Sequence, residues 1–182
     1  YDDLQELMDI VRELQPDAKF GWNMTWAYQG NSNHADFKNY NKNHEIKSPI
    51  NGKAILIEET GDSVFADKIL GEGVAVMPDD GTVVSPLDGT VTHISEEKHL
   101  YTITTADGVH ILVHIGIGTV ALNGEGIKPL VKVGESVKTG TPLAEVDIIY
   151  LREQGMNPCT PVILTGHGAV AGFEISTGTV QA

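Results

Sequence analysis

Two histidines, His99 and His114, are the residues whose type and spacing point most directly to chemistry. They flank Ala106-Asp107-Gly108, a turn signal between two short apolar stretches, Leu100–Thr105 and Val109–Ile115, which reads as a hairpin. A two-residue turn at Ala106-Asp107 sets His99 opposite His114. A turn at Asp107-Gly108, favoured because Gly tolerates positive φ, sets His114 opposite Tyr101 with His99 on the diagonal. Either register predicts both rings on one sheet face, their Cβ atoms about 5 Å apart if opposite and about 7–8 Å if diagonal. A neutral imidazole is nucleophilic at one nitrogen, while the other can donate to a carbonyl that fixes the tautomer. Phosphoryl transfer needs mainly alignment and charge stabilisation from the protein, and a second imidazole can hydrogen-bond the phosphoryl oxygens. Ile111, Leu112, Val113 and Ile115 around His114 would keep water from a labile phosphohistidine. The same spacing also fits two packed core histidines. His110 shares strand parity with His114, which leaves a metal-binding face open.

The elements that must hold this pair are short. From Ile46 onward, apolar stretches alternate with Gly, Asp and Pro: Ala54–Glu58, Gly73–Met77, Val83–Val84, Gly89–Ile94, Leu100–Thr104, Val109–Ile115, Val137–Val146 and Val162–Leu164. This rhythm predicts a mainly β fold, a compact antiparallel sandwich or barrel. Ser63–Leu70 alone reads as helical, for two turns at most. Ile46-Lys47-Ser48-Pro49-Ile50-Asn51-Gly52-Lys53-Ala54 is echoed by Val83-Val84-Ser85-Pro86-Leu87-Asp88-Gly89-Thr90-Val91. Each copy reads as strand, Ser-Pro break, Gly-closed turn and second strand, with Gly accepting positive φ, so the two should turn alike.

Composition changes near Asn43, dividing the chain into an extension, 1–43, and a domain, 44–182. Seven of eleven aromatic residues precede that point, but only two of twenty glycines do. Leu4, Leu7, Met8, Val11 and Leu14 predict an amphipathic helix over Asp2–Leu14, ended by Pro16. Ala18–Ala27 reads as one strand leading to the polar run Tyr28–Asn43. The run Trp26–Gln29 weakly resembles proteins with an SGNH-hydrolase-like fold. Net charge is -13, from 25 acids against 12 bases, so nucleic acid would be repelled and a basic protein is the expected partner. The apolar run near Ile111–Ile117 is far too short to cross a bilayer. The start Tyr1-Asp2-Asp3 is no secretory leader and the single Cys159 cannot form an internal disulfide, so a cytoplasmic location is expected.

From about Ile46 to Val180 the chain resembles the glucose-type enzyme IIA domain of the phosphoenolpyruvate-dependent sugar phosphotransferase system. The resemblance rests on Ser48–Gly52, Asp62–Gly71 continuing through Gly73–Ala75, Val84–Val91, Lys98-His99, Gly108–Ile117 with Thr119-Val120, and Thr160–Ile163. It implies an antiparallel β-sandwich with His114 as phosphoryl acceptor and His99 as supporting histidine. The phosphohistidine of the carrier HPr would be the donor and a cysteine of an enzyme IIB domain the acceptor, with a membrane permease IIC beyond. Cys159, in Asn-Pro-Cys-Thr-Pro, reads as a buried strand-edge residue instead. Val64, Phe65, Ile69, Leu112 and Val120 match the family's apolar rim for docking carriers, and Asp62 an acidic rim position for an arginine of HPr. No cofactor is required, though similar domains can hold zinc jointly with a partner through two histidines, here His99 and His114.

Two positions depart from the pattern. Glu97 stands where the family has Thr, two residues before the supporting histidine, and a carboxylate there would repel the phosphoryl group unless turned away or paired. Gly118 replaces an Asp four residues after the active histidine, removing one acidic contact for HPr. These changes keep a non-catalytic regulatory module on the same scaffold as the second reading. Val133–Gly140 resembles the turn of biotin and lipoate carriers, but Lys53, Lys68 and Lys98 lack the required hairpin-tip setting. A zinc peptidase would need a third ligand, which the spacing does not supply.

Overall fold

In the unit that carries both histidines, two antiparallel sheets close around an apolar interior. The computed structural model describes residues 18–19, 27–28, 44–166 and 175–182. The chain divides into units Tyr1–Asn41 and Lys42–Ala182. In the first, β1 (Ala18–Lys19) pairs antiparallel with β2 (Ala27–Tyr28). The single strand expected over Ala18–Ala27 is therefore two paired strands. The helix expected over Asp2–Leu14 lies outside the described residues, as does most of 1–43.

In the second unit the strands are β3 (Gly52–Leu56), β4 (Glu72–Pro78), β5 (Thr82–Val84), β6 (Gly89–Ile94), β7 (Leu100–Thr104), β8 (His110–His114), β9 (Ile127–Pro129), β10 (Ser136–Val137), β11 (Pro142–Val146), β12 (Thr160–Gly166) and β13 (Gly178–Val180). Eight form one sheet in the order β10-β6-β7-β8-β12-β4-β3-β13, and β5-β11-β9 form a second. Val91, Tyr101, Ile103, Ile111 and Val113 of the large sheet share a buried cluster with Val83, Ile127, Leu143 and Val146 of the small one. That shared interior makes the unit sandwich-like and mainly β, as the glycine-punctuated rhythm predicts, and not a closed barrel.

The helical content is larger than the sequence reading. Helix α1 (Ser63–Ala66) is a single turn, capped by Asp62 Oδ1 accepting from Val64 N at 2.9 Å. It is prolonged to Leu70 by irregular turns in which Lys68 adopts φ 56°. A second helix, α2 (Ile148–Glu153), was not expected; Asp147 caps it by accepting from Tyr150 N. Two 3-10 turns, Ile57–Thr60 and Thr119–Leu122, flank the site described below.

The internal echo is structural. Ser48 Oγ donates to Ile50 O at 2.6 Å and Ser85 Oγ to Leu87 O at 2.7 Å. The copies also bond each other, through Lys47 N to Pro86 O and Val84 N to Pro49 O. Ile46–Lys47 forms no strand, however, and the two glycines differ in backbone: Gly52 has φ 157°. Gly89 does not have positive φ. A Cβ would sit 2.1 Å from Met77 O at Gly52 and 2.7 Å from Thr104 O at Gly89, so close approach of the neighbouring strand excludes a side chain at both.

Candidate functional site: a histidine pair

His114 is the last residue of β8, which is bonded on both edges, to β7 and β12. A strand clamped on two sides holds its final side chain more rigidly than a loop would. Ile111 and Val113 point into the main core, while Leu112 joins Ile57, Phe65 and Ile163 in a second apolar cluster, with Leu100 and Ile117 against it. His114 follows Leu112 by two, so it emerges on that second face. The Phe65 ring meets it edge-on, with centroids 5.0 Å apart.

The hairpin register differs from both expected alternatives. His114 pairs with Leu100 and His110 with Thr104. The loop is three residues, Ala106–Gly108, closed by Thr105 N to Val109 O at 2.9 Å, with Gly108 at φ 86°. A turn ending in a left-handed residue is the next commonest way to close a hairpin, and adding that residue shifts the pairing by one. In this register strict alternation would send His99 to the face opposite His114. His99 escapes it because it precedes β7, after Lys98 at φ 61°. Its carbonyl accepts from Ile115 N at 2.7 Å, and its ring stands 4.8 Å from that of His114, the planes at 72°. The rings meet, for a different reason than parity.

Both rings have one nitrogen engaged. His114 Nδ1 donates to Gly116 O at 2.7 Å, which leaves Nε2 with the lone pair. Burial, and then the neighbouring His99, lower the His114 pKa to about 4, against smaller opposing effects from the Gly116 carbonyl and Asp62. The ring is thus neutral and nucleophilic at neutral pH. Burial likewise lowers His99, partly offset by Glu97. His99 Nδ1 lies 3.2 Å from Ser95 Oγ and 3.9 Å from Glu97 Oε2. Glu97 therefore stands on the Nδ1 side of the His99 ring. Gly116 adopts φ 68°, where a Cβ would meet Thr119 Cγ2 at 2.5 Å.

The remaining predicted residues surround the pair unevenly. Phe65 and Leu112 are buried beside the rings, whereas Val64, Ile69 and Val120 are exposed by 42%, 68% and 51%. Asp62 is the α1 cap, and its charge is felt at His114. Gly118 has φ 80° and begins the second 3-10 turn. Cys159 is fully buried, its thiol pushed up to about 11. His110 turns to Thr104 Oγ1 at 3.0 Å and His44 to Asp107 at 2.9 Å. Among the described residues no group of three or more His, Cys, Asp or Glu could hold a metal ion, so zinc on these two rings would need ligands from a partner. The sequence reading missed Ser95 and the Gly116 carbonyl. The only trace of the first is a hydroxyl four residues before a histidine.

Comparison with known proteins supplies a family. The phosphoenolpyruvate-dependent sugar phosphotransferase system, EIIA 1, matches residues 44–170. The glucoside-specific EIICBA component of Staphylococcus carnosus is 39% identical over 136 residues, which cover 75% of this chain but 20% of that protein. The glucose-specific EIIA component of Staphylococcus epidermidis is 38% identical over 138 residues, covering 76% and 83% of the two chains. Among solved structures, glucose permease IIA from Mycoplasma capricolum superposes with a TM-score of 0.74 at 32% identity, over 78% of this chain and 92% of that one.

Proposed function

The chain belongs to the phosphoenolpyruvate-dependent sugar phosphotransferase system EIIA 1 family, whose members relay phosphoryl groups, and from that premise we propose that His114 Nε2 carries the phosphate. The supporting observation is the His114 Nδ1 bond to Gly116 O, which presents Nε2 unprotonated beside His99. In the first step the Nε2 lone pair attacks the phosphorus of phosphohistidine on HPr. A P–N bond forms to His114 as the P–N bond to HPr breaks, its electron pair leaving with the donor ring. In the second step a cysteine thiolate of an enzyme IIB domain attacks the same phosphorus, forming P–S and releasing His114. His99 stabilises the oxygens as the phosphoryl group passes on to IIB. Phe65 and Leu112 floor the site, while Asp62, Val64, Ile69 and Val120 form the docking rim.

Residues 44–182 are the relay domain, and 1–43 an extension of separate character. HPr, IIB and the sugar entering through a permease IIC would place the domain on the cytoplasmic side. Among the described residues no helix is long and apolar enough to cross a membrane. No cofactor takes part in either transfer.

Incubation with phosphoenolpyruvate, enzyme I and HPr should add one acid-labile, alkali-stable phosphate. His114→Ala should abolish that uptake. His99→Ala should still load but pass phosphate to IIB more slowly by about a hundredfold, the scale of one lost donor to a developing oxyanion. Full uptake by His114→Ala would refute the assignment.

A further inference from the structure

The function proposed above requires His99 to offer a hydrogen to the phosphoryl oxygens, and the turn before β7 contains a group suited to arrange that. Ser95 Oγ lies 3.2 Å from His99 Nδ1 and also accepts from Leu100 N at 3.2 Å. Ser95 N in turn donates to Leu100 O at 3.0 Å, and Lys98 N to Ser95 O at 2.9 Å. The serine is thus pinned by its own backbone and by the first residue of the strand that follows. With Leu100 N–H occupying one side of the oxygen, the hydroxyl hydrogen is free to point at Nδ1.

We propose that Ser95 is a positioning residue of the relay, whose hydroxyl donates to His99 Nδ1 and so keeps the proton of the neutral ring on Nε2. The alternative tautomer would leave a lone pair on Nε2, which repels phosphoryl oxygens instead of binding them. Desolvation disfavours the cationic ring that could donate from both nitrogens, so the neutral tautomer decides whether a donor faces the phosphate. A hydroxyl suits this role because it rotates. Should the ring take a second proton as the dianionic phosphoryl group arrives, Ser95 accepts from Nδ1 without moving its oxygen. Glu97, 3.9 Å from the same nitrogen, draws a proton toward Nδ1, so the Ser95 hydroxyl at 3.2 Å holds the neutral ring against that pull. The two histidines then complement each other: Nδ1–H on His114, tied to a carbonyl, and Nε2–H on His99, tied to a hydroxyl.

The test begins without phosphate, so that it is separable from the relay assignment. Long-range proton–nitrogen NMR on histidine-labelled protein near neutral pH should find His99 as the Nε2–H tautomer and His114 as Nδ1–H. Ser95→Ala should move His99 toward a mixture, and Ser95→Thr, which keeps the hydroxyl, should restore it; amide spectra report whether each variant is folded. In the transfer assay Ser95→Ala should load His114 but lower kcat of onward transfer about tenfold, the scale of one hydrogen bond, with KM for IIB unchanged, and Ser95→Thr should rescue it. Nδ1–H on His99 in the wild type, or a folded Ser95→Ala with unchanged tautomer and unchanged transfer, would overturn the proposal. If the wild type takes up no phosphate, the relay reading fails while the tautomer result stands.

Discussion

His114 combines two properties that oppose each other in most histidines: a largely desolvated ring and an accessible lone pair. The first costs stability in acid. Its folded pKa is about 4 against an ordinary 6.5, with burial the main cause. As pH falls below 6.5 the unfolded chain binds a proton that the folded chain refuses, so stability is lost between those values and levels off beneath the lower one. Replacing the ring by Gln removes that loss. Urea unfolding of wild type and His114→Gln should therefore diverge by about 2 kcal/mol between roughly pH 7 and 4.5, the wild type declining more. Equal declines would place the ring in water. Uptake of phosphate should be flat through neutral pH and fall only as His114 protonates near 4.

Among the elements, the strand order and the turns contributed differently to what could be read in advance. The unbroken apolar run Ile111, Leu112 and Val113 before His114 marks a strand with both faces covered, and β8 is one. Spacing brought the two histidines together only through registers that do not form; the register was not legible, because two-residue and three-residue closures of Ala106–Gly108 share the same residues. Only the Thr105–Val109 pairing decides between them. Helix α2 escaped notice since Ile148, Ile149 and Tyr150 have strand-like propensity, and its signal is the Asp147 cap alone. Strands β9 and β13 are three residues each, too short to show a period. Ser95 could not be read at all, as its bond to His99 depends on the left-handed backbone of Lys98. The turn after β8 carries the clearest element-scale prediction. Gly116→Ala forces a Cβ into Thr119 at a left-handed position and displaces the carbonyl that holds His114 Nδ1. It should cost about 2 kcal/mol in urea unfolding, and the folded fraction should load phosphate more slowly.

For the whole molecule, charge and exposed apolar surface divide the work of meeting a partner. A net charge of -13 draws basic proteins from a distance, and its reach shrinks with added salt. In the docking proposed above, contact then falls to side chains such as Ile69, which leaves 68% of its surface in water. Ile69→Asp should raise KM for phospho-HPr by about tenfold while changing stability by no more than about 0.5 kcal/mol. Steady-state transfer and thermal melts check the two halves separately, and an unaltered KM would remove Ile69 from the rim. The lone thiol offers another view of the same body. Cys159 N is bonded to Asn157 Oδ1 at 3.0 Å, and Asn157 O anchors Ile117, three residues past His114. With its thiol sealed and held up to about 11, a maleimide can reach it only when this seam parts. The labelling rate is thus a built-in stopwatch for breathing beneath the histidines, with no engineered probe to perturb them. Carriers that grip this face should slow its hand.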